Sequence, residues 1–141
     1  MVISLSLYIV APAIAVTEEL QFNSTTGYKA KTVFTYDETK NVTSIEEQGK
    51  GKTQIVDYLK IDFYQPSGKL IATYDNIVDG VSTGNYFKFN FDPKTKKLTG
   101  NIDLGGELAG EVYLKGEVEQ GLSLIEVNNL GEEIIIAQMS K

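Results

Sequence analysis

The sequence predicts an all-β fold, an antiparallel meander of about eight to ten strands closed or nearly closed into a β-barrel, with a β-sandwich as the alternative. Three observations carry this reading. Apolar residues recur at every second position in one segment after another. Turn residues separate those segments at intervals of about a dozen residues. Seven of the 13 glycines fall at or after position 100, several inside strand patterns, where glycine marks bulges and curvature.

The elements follow in order. Residues 28–36 alternate between two faces and are rich in aromatic and β-branched side chains. Residues 54–64 place Leu59, Ile61 and Phe63 at period two, and residues 69–74 place Leu70, Ala72 and Tyr74 on one side. Residues 85–91 give the strongest alternation, with Phe87, Phe89 and Phe91 on one face and Lys88 and Asn90 on the other. Residues 97–104 continue it through Leu98, Ile102 and Leu104, and strands at 111–116, 122–127 and 132–138 complete the series. Weaker strand patterns lie at 20–23 and 42–45, and no segment reads as a helix. Three turns share a form, an aromatic residue (Tyr36, Tyr64 or Phe91) followed by a polar stretch and an apolar return, with Pro66, Pro93 and Gly68 supplying turn geometry. From this spacing we expect Leu59, Ile61, Phe63, Phe87, Phe89, Phe91, Leu98, Ile102 and Leu104 to form the core.

With 141 residues, the chain has the length of one domain and needs no disulfide or metal to fold. Residues 16–141 are read as a single all-β domain. Residues 1–15 allow two readings. Ala13, Ile14 and Ala15 after an uncharged apolar stretch resemble the end of a signal peptide, although no basic residue precedes them. Alternatively, Ile3, Leu5, Leu7 and Ile9 alternate as in a strand. The first reading favours a periplasmic or secreted protein. The second makes this segment the natural partner of the last strand, whose Ile134, Ile135 and Ile136 put apolar side chains on both faces and call for cover on both sides.

Composition excludes much chemistry. The chain has no His and no Cys, and with no Arg all 13 basic residues are lysines. It therefore lacks the usual neutral-pH base, a thiolate nucleophile, a zinc–sulfur site and a bidentate guanidinium. A net charge of −6 has the wrong sign for nucleic acid, and no membrane span is expected in the mature domain. No cofactor is expected, and no catalytic, cofactor-binding or metal-ligating residue is assigned.

Several features were weighed against plainer readings. Gly51, Lys52 and Thr53 echo a phosphate loop, but Glu46 stands where that motif needs glycine and no helix pattern follows. Asp75 and Asp79 echo a calcium loop, but Ile77 holds a liganding place and Tyr86 stands where the closing glutamate belongs. The pairs Glu18/Glu19, Glu46/Glu47 and Glu132/Glu133 point to opposite faces if they lie in strands, so none is an acid–base dyad. Asp57, Asp62 and Asp103 are better candidates for carboxylate chemistry, against the plainer reading of a solvated strand face. Tyr58, Tyr64, Tyr74, Tyr86 and Tyr113 can bury a ring and present a hydroxyl. Sequons at Asn23 and Asn41 are no more than chance supplies.

In architecture the predicted meander resembles the calycin (lipocalin-like) barrels, a resemblance that implies an apolar ligand in the interior. The short Gly-x-Trp motif of lipocalins is absent, because the chain has no Trp. The function expected is that of a non-enzymatic domain binding a small apolar ligand or a protein partner. The alternative is a carboxylate- and Tyr-dependent hydrolase or isomerase acting in a pocket. An open interior would favour the ligand, and a filled core with an exposed aromatic patch the partner.

Overall fold

A computed structural model of the chain describes residues 14–141. Thirteen strands form among them: β1 (Ala15–Asn23), β2 (Lys29–Asp37), β3 (Ile45–Gln48), β4 (Gly51–Lys52), β5 (Val56–Tyr64), β6 (Leu70–Val78), β7 (Val81–Ser82), β8 (Lys88–Asp92), β9 (Lys97–Leu98), β10 (Asn101–Gly105), β11 (Val112–Glu117), β12 (Gly121–Val127) and β13 (Glu133–Met139). The one helical turn among the described residues is the 3₁₀ segment Glu38–Lys40, whose N-cap Asp37 accepts from the Thr39 amide at 2.9 Å.

The strands form two antiparallel sheets. Sheet A has the order β1-β2-β5-β6-β7-β4, and sheet B the order β13-β12-β11-β10-β8-β3, with β9 paired to β8. Neighbours in sequence are mostly neighbours in the sheet, as a meander requires. The exceptions are an excursion after β2, which sends β3 to the edge of sheet B and β4 to the far edge of sheet A before β5 returns beside β2, and the crossing from β7 in sheet A to β8 in sheet B.

The sheets bury one shared core. Ala30, Phe34, Leu59, Ile61 and Phe63 of sheet A meet Phe89, Phe91, Ile102, Leu104 and Leu114 of sheet B. Phe34 carries the contact between layers: its ring centroid lies 4.8 Å from Phe89 and 4.8 Å from Phe91, both edge-on, a preferred geometry for aromatic pairs. All nine residues expected in the core are buried.

The closed or nearly closed barrel is not what the described residues show, because neither sheet closes on itself among them, and the sandwich alternative fits. The outer edges of β1 and β13 meet only at a single bridge, where Asn23 and Ser140 exchange backbone hydrogen bonds of 2.7 and 2.9 Å. On the opposite side the chain steps from β3 in sheet B to β4 in sheet A through Gly49 and Lys50, without a ladder between the two. A sandwich-like pair of open sheets is the result.

Two further expectations change. The strand read at 97–104 is broken at Thr99 and Gly100, where Gly100 takes a left-handed φ of 60°. The last strand is not covered on both sides: Ile134 and Ile135 are exposed, and among the described residues only β12 pairs along β13. A bulge between Leu124 and Ile125 in the β12–β13 pairing shifts the register and sets Ile135 opposite Ile125 on the outer face. The expected strand at residues 3–10, and its pairing with β13, lie outside the described residues.

Candidate functional site

The outward face of sheet B gathers the most chemically varied side chains. Its construction begins with register. Asp103 on β10 stands directly opposite Lys88 on β8 and Lys115 on β11, and such cross-strand neighbours lie about 5 Å apart at Cβ. One row along, Tyr113, Ile125 and Ile135 align across β11, β12 and β13, on the face opposite the core residues Leu114 and Leu124. Glu133, opposite Val127 at the start of β13, reaches back to this row. The Tyr113 hydroxyl donates to Glu133 Oε1, and Lys115 Nζ lies 3.5 Å from the same oxygen.

Two loops wall the site. After β10 the chain turns through Gly105 and Gly106, positions that exclude any larger residue. A Cβ on Gly105, at φ 131°, lies 2.6 Å from the Val112 carbonyl oxygen, and one on Gly106 lies 2.5 Å from Glu111 Cβ. Glu111 Oε1 accepts from the amides of Glu107 and Leu108 at 3.1 and 2.7 Å, which fixes this loop. Glu107 in turn accepts from the amides of Asn85 and Tyr86 at 3.1 and 2.7 Å and so sets the second loop. That clasp explains why β8 begins at Lys88 rather than at residue 85: the amides of Asn85 and Tyr86 go to a side chain instead of a ladder.

The result is a cleft of about 240 Å³ lined by Tyr86, Asp103, Glu107, Tyr113, Lys115 and Glu133. A second cleft, of about 330 Å³, adjoins it and shares Gly106 and Glu107. Exposed apolar side chains line both, Tyr86 (68% exposed) the first and Leu108 (71%) the second; Leu130 (82%) precedes Gly131 of the first cleft in sequence, and Ile135 (60%) ends the Tyr113 row.

Electrostatically, the three carboxylates differ. Burial pushes Asp103 up to about 6, opposed by Lys115 and Lys88 and reinforced by Glu107 and Glu133. The hydrogen bond from Tyr113, with Lys115 beside it, holds Glu133 below the usual range, and burial together with Glu133 pushes the Tyr113 phenol up. The lone pairs of Glu107 are engaged by two backbone amides. Asp103 alone among the three accepts no hydrogen bond and joins no ion pair among the described residues.

The other sequence candidates take structural or solvated places. Asp62, outward on sheet A, accepts from Thr73 Oγ1 at 2.6 Å and lies 3.6 Å from Lys60 Nζ. Asp57 is exposed beside the β6–β7 hairpin, in a cleft it shares with Lys52, Asp79 and Gly80. Asp75 accepts from the Tyr58 hydroxyl at 3.1 Å. In the Gly51–Lys52–Thr53 stretch the Thr53 hydroxyl donates to its own loop, so nothing there cradles an anion. Glu46 is exposed, whereas Glu47 is buried and accepts from the amides of Gln54, Ile55 and Val56 at 2.8, 2.9 and 2.7 Å, a purely structural clasp. Tyr74 donates its ring to the interior and accepts from the Val112 amide at 3.1 Å, and Tyr64 lies under the Lys31 ammonium at 5.5 Å. No group of three or more metal-binding side chains converges among the described residues.

Of the site residues, Asp103, Tyr86 and Tyr113 were candidates from sequence, and Glu133 as half of an acidic pair. Lys115 and Glu107 were missed. Outward parity in a hairpin with Asp103 could have found Lys115, whereas nothing local marks Glu107 as the ligand of amides some twenty residues earlier. Comparison of the chain with family models, with curated proteins and with solved structures finds no match.

Proposed function

We propose that this protein is a non-enzymatic interaction domain that binds a protein partner through the outer face of sheet B. The observation that carries the reading is where apolar side chains are spent. Inside, rings in contact at 4.8 Å fill the space between the sheets, which favours a packed core over an interior ligand site. Outside, Tyr86 and Leu108 are displayed in two adjoining clefts, with Leu130 exposed in the β12–β13 turn and Ile135 exposed on β13. Aromatic and aliphatic anchors around a polar centre are the usual composition of a recognition surface. The test compares proteins retained by the wild type with those retained by a Tyr86→Ser/Leu108→Ser variant of equal thermal midpoint. A partner lost from the variant alone supports the proposal; identical retention overturns it.

One observation favours a second reading, a carboxylate-dependent hydrolase. Burial raises the pKa of Asp103 to about 6 in a cleft it shares with Tyr113, the direction in which a general acid is tuned. Turnover of chromogenic esters or glycosides by the wild type and not by Asp103→Asn supports this reading, and absence of wild-type turnover removes it.

A further inference from the structure

We infer that the Asp103 cleft receives a lysine side chain of the partner, its ammonium against the Asp103 carboxylate and its stem along the exposed ring of Tyr86. The inference rests on the recognition face proposed above and names what its centre binds. Among the described residues, the cleft holds one carboxylate with all its acceptor positions unused, because Glu133 is engaged by Tyr113 and Lys115 and Glu107 by two amides. A half-buried carboxylate without a partner is unfavourable, and an incoming charge-assisted donor relieves it. Two lysines do face Asp103, Lys88 from β8 and Lys115 from β11, yet neither comes within ion-pair distance. Asp103 lines the cleft, so a donor that enters it comes within reach of the unpaired carboxylate.

The shape favours a lysine over other donors. The volume of about 240 Å³ suits one long side chain rather than a whole small molecule of drug size. The wall supplies the exposed ring of Tyr86, which attracts a cation and packs its methylenes. Tyr86 and Val127 supply the apolar part of the lining, so residues flanking the lysine are expected to be apolar as well. Charge agrees with this choice, since the chain carries −6 overall and the cleft contributes three carboxylates against Lys115.

The groups that face Asp103 are Lys88 on β8, Tyr113 and Lys115 on β11, Glu133 on β13 and Glu107 in the loop after β10. Because burial raises the proton affinity of Asp103, acidification neutralises it first at the position where the ammonium docks. Binding is therefore expected to weaken from pH 7.5 to pH 5.

The experiment titrates the full chain with acetyl-Leu-Lys-Leu-amide and with its norleucine counterpart, which has the same stem and no charge. Amide resonances of residues 103, 113 and 133 report binding. The lysine peptide should give saturable shifts at pH 7.5, with at least about tenfold weaker binding for the norleucine peptide and for the wild type at pH 5. Asp103→Asn should weaken the lysine peptide by a similar factor, while Asp62→Asn on the opposite sheet leaves it unchanged. Equal binding of the two peptides, full binding to Asp103→Asn, or absence of saturable shifts overturns the inference. If the peptide fails while the Tyr86→Ser/Leu108→Ser variant still loses a partner, the lysine assignment falls and the recognition face stands.

Discussion

Asp103 shows how one residue can be set against the stability of its own fold. Its pKa is raised from 3.8 to about 6 by burial, so the folded state binds a proton that the unfolded chain has released. Between those two values stability falls as pH rises, and above about 6 the full cost is present. Below 3.8 both states are protonated and the cost is gone. Asp103→Asn should accordingly stabilise the protein at pH 7.5 by on the order of 1–2 kcal/mol, a figure discounted for partial solvent access, and change little at pH 3.5. Denaturant midpoints of both proteins at the two pH values check this, and an equal difference at both would show that charge is not the cause. Asn76 is the opposite case. Buried on β6, its side chain donates to the Gly105 carbonyl at 2.9 Å and accepts from the Gly105 amide at 2.9 Å, so that it replaces a backbone partner across the two sheets. Asn76→Ala leaves both Gly105 groups without that partner and should cost about 1–3 kcal/mol, with faster hydrogen exchange at Gly105 as its signature. Unchanged exchange there would mean that water replaces the amide at no loss.

At the scale of elements, legibility followed the range of the contacts. Period-two runs located the long strands because alternation is a local consequence of having one buried face: Phe87, Phe89 and Phe91 point inward as their spacing requires. The two-residue strands β4, β7 and β9 left no such trace, since alternation needs more residues than they contain. The crossing between sheets at Gly49 and Lys50 was equally hidden. It depends on Glu47 binding the amides of residues 54–56, a contact that no pattern in hydrophobicity records. The candidate site fell between these cases, with Asp103 and both tyrosines visible as types and their convergence visible only through strand register. The edge strand β13 yields an elemental prediction. Ile135 is exposed at a sheet edge, and a lysine there is the common protection against edge pairing. Ile135→Lys should shift stability by no more than about 0.5 kcal/mol while lowering the rate of aggregation on heating, followed by light scattering. Faster aggregation of the variant would show that Ile135 is packed in solution.

For the whole molecule, the open edges raise the question of what makes two sheets one folding unit. Among the described residues, backbone pairing joins them only at the Asn23–Ser140 bridge, and side chains add links from Asn76 to Gly105, Tyr74 to the Val112 amide, Glu47 to the Val56 amide and Lys96 to Glu18. Such polar contacts contribute about 1 kcal/mol each and are scattered along the margins, whereas the apolar layer between the sheets is continuous. The coupling must therefore come from the buried layer, with Phe34 at its centre, in contact with Phe89 and Phe91 of the other sheet and stacked near Tyr36 of its own. Truncating a fully buried Phe removes contacts that packing cannot restore, at about 3–5 kcal/mol. Because the lost contacts belong to both sheets, Phe34→Ala should destabilise them together. Amides of β5 in sheet A and β10 in sheet B should gain exchange rate by the same factor, and the unfolding transition should stay single. Exchange that accelerates in sheet A alone would mean that sheet B holds its structure without the shared core, and that the sandwich is two units rather than one.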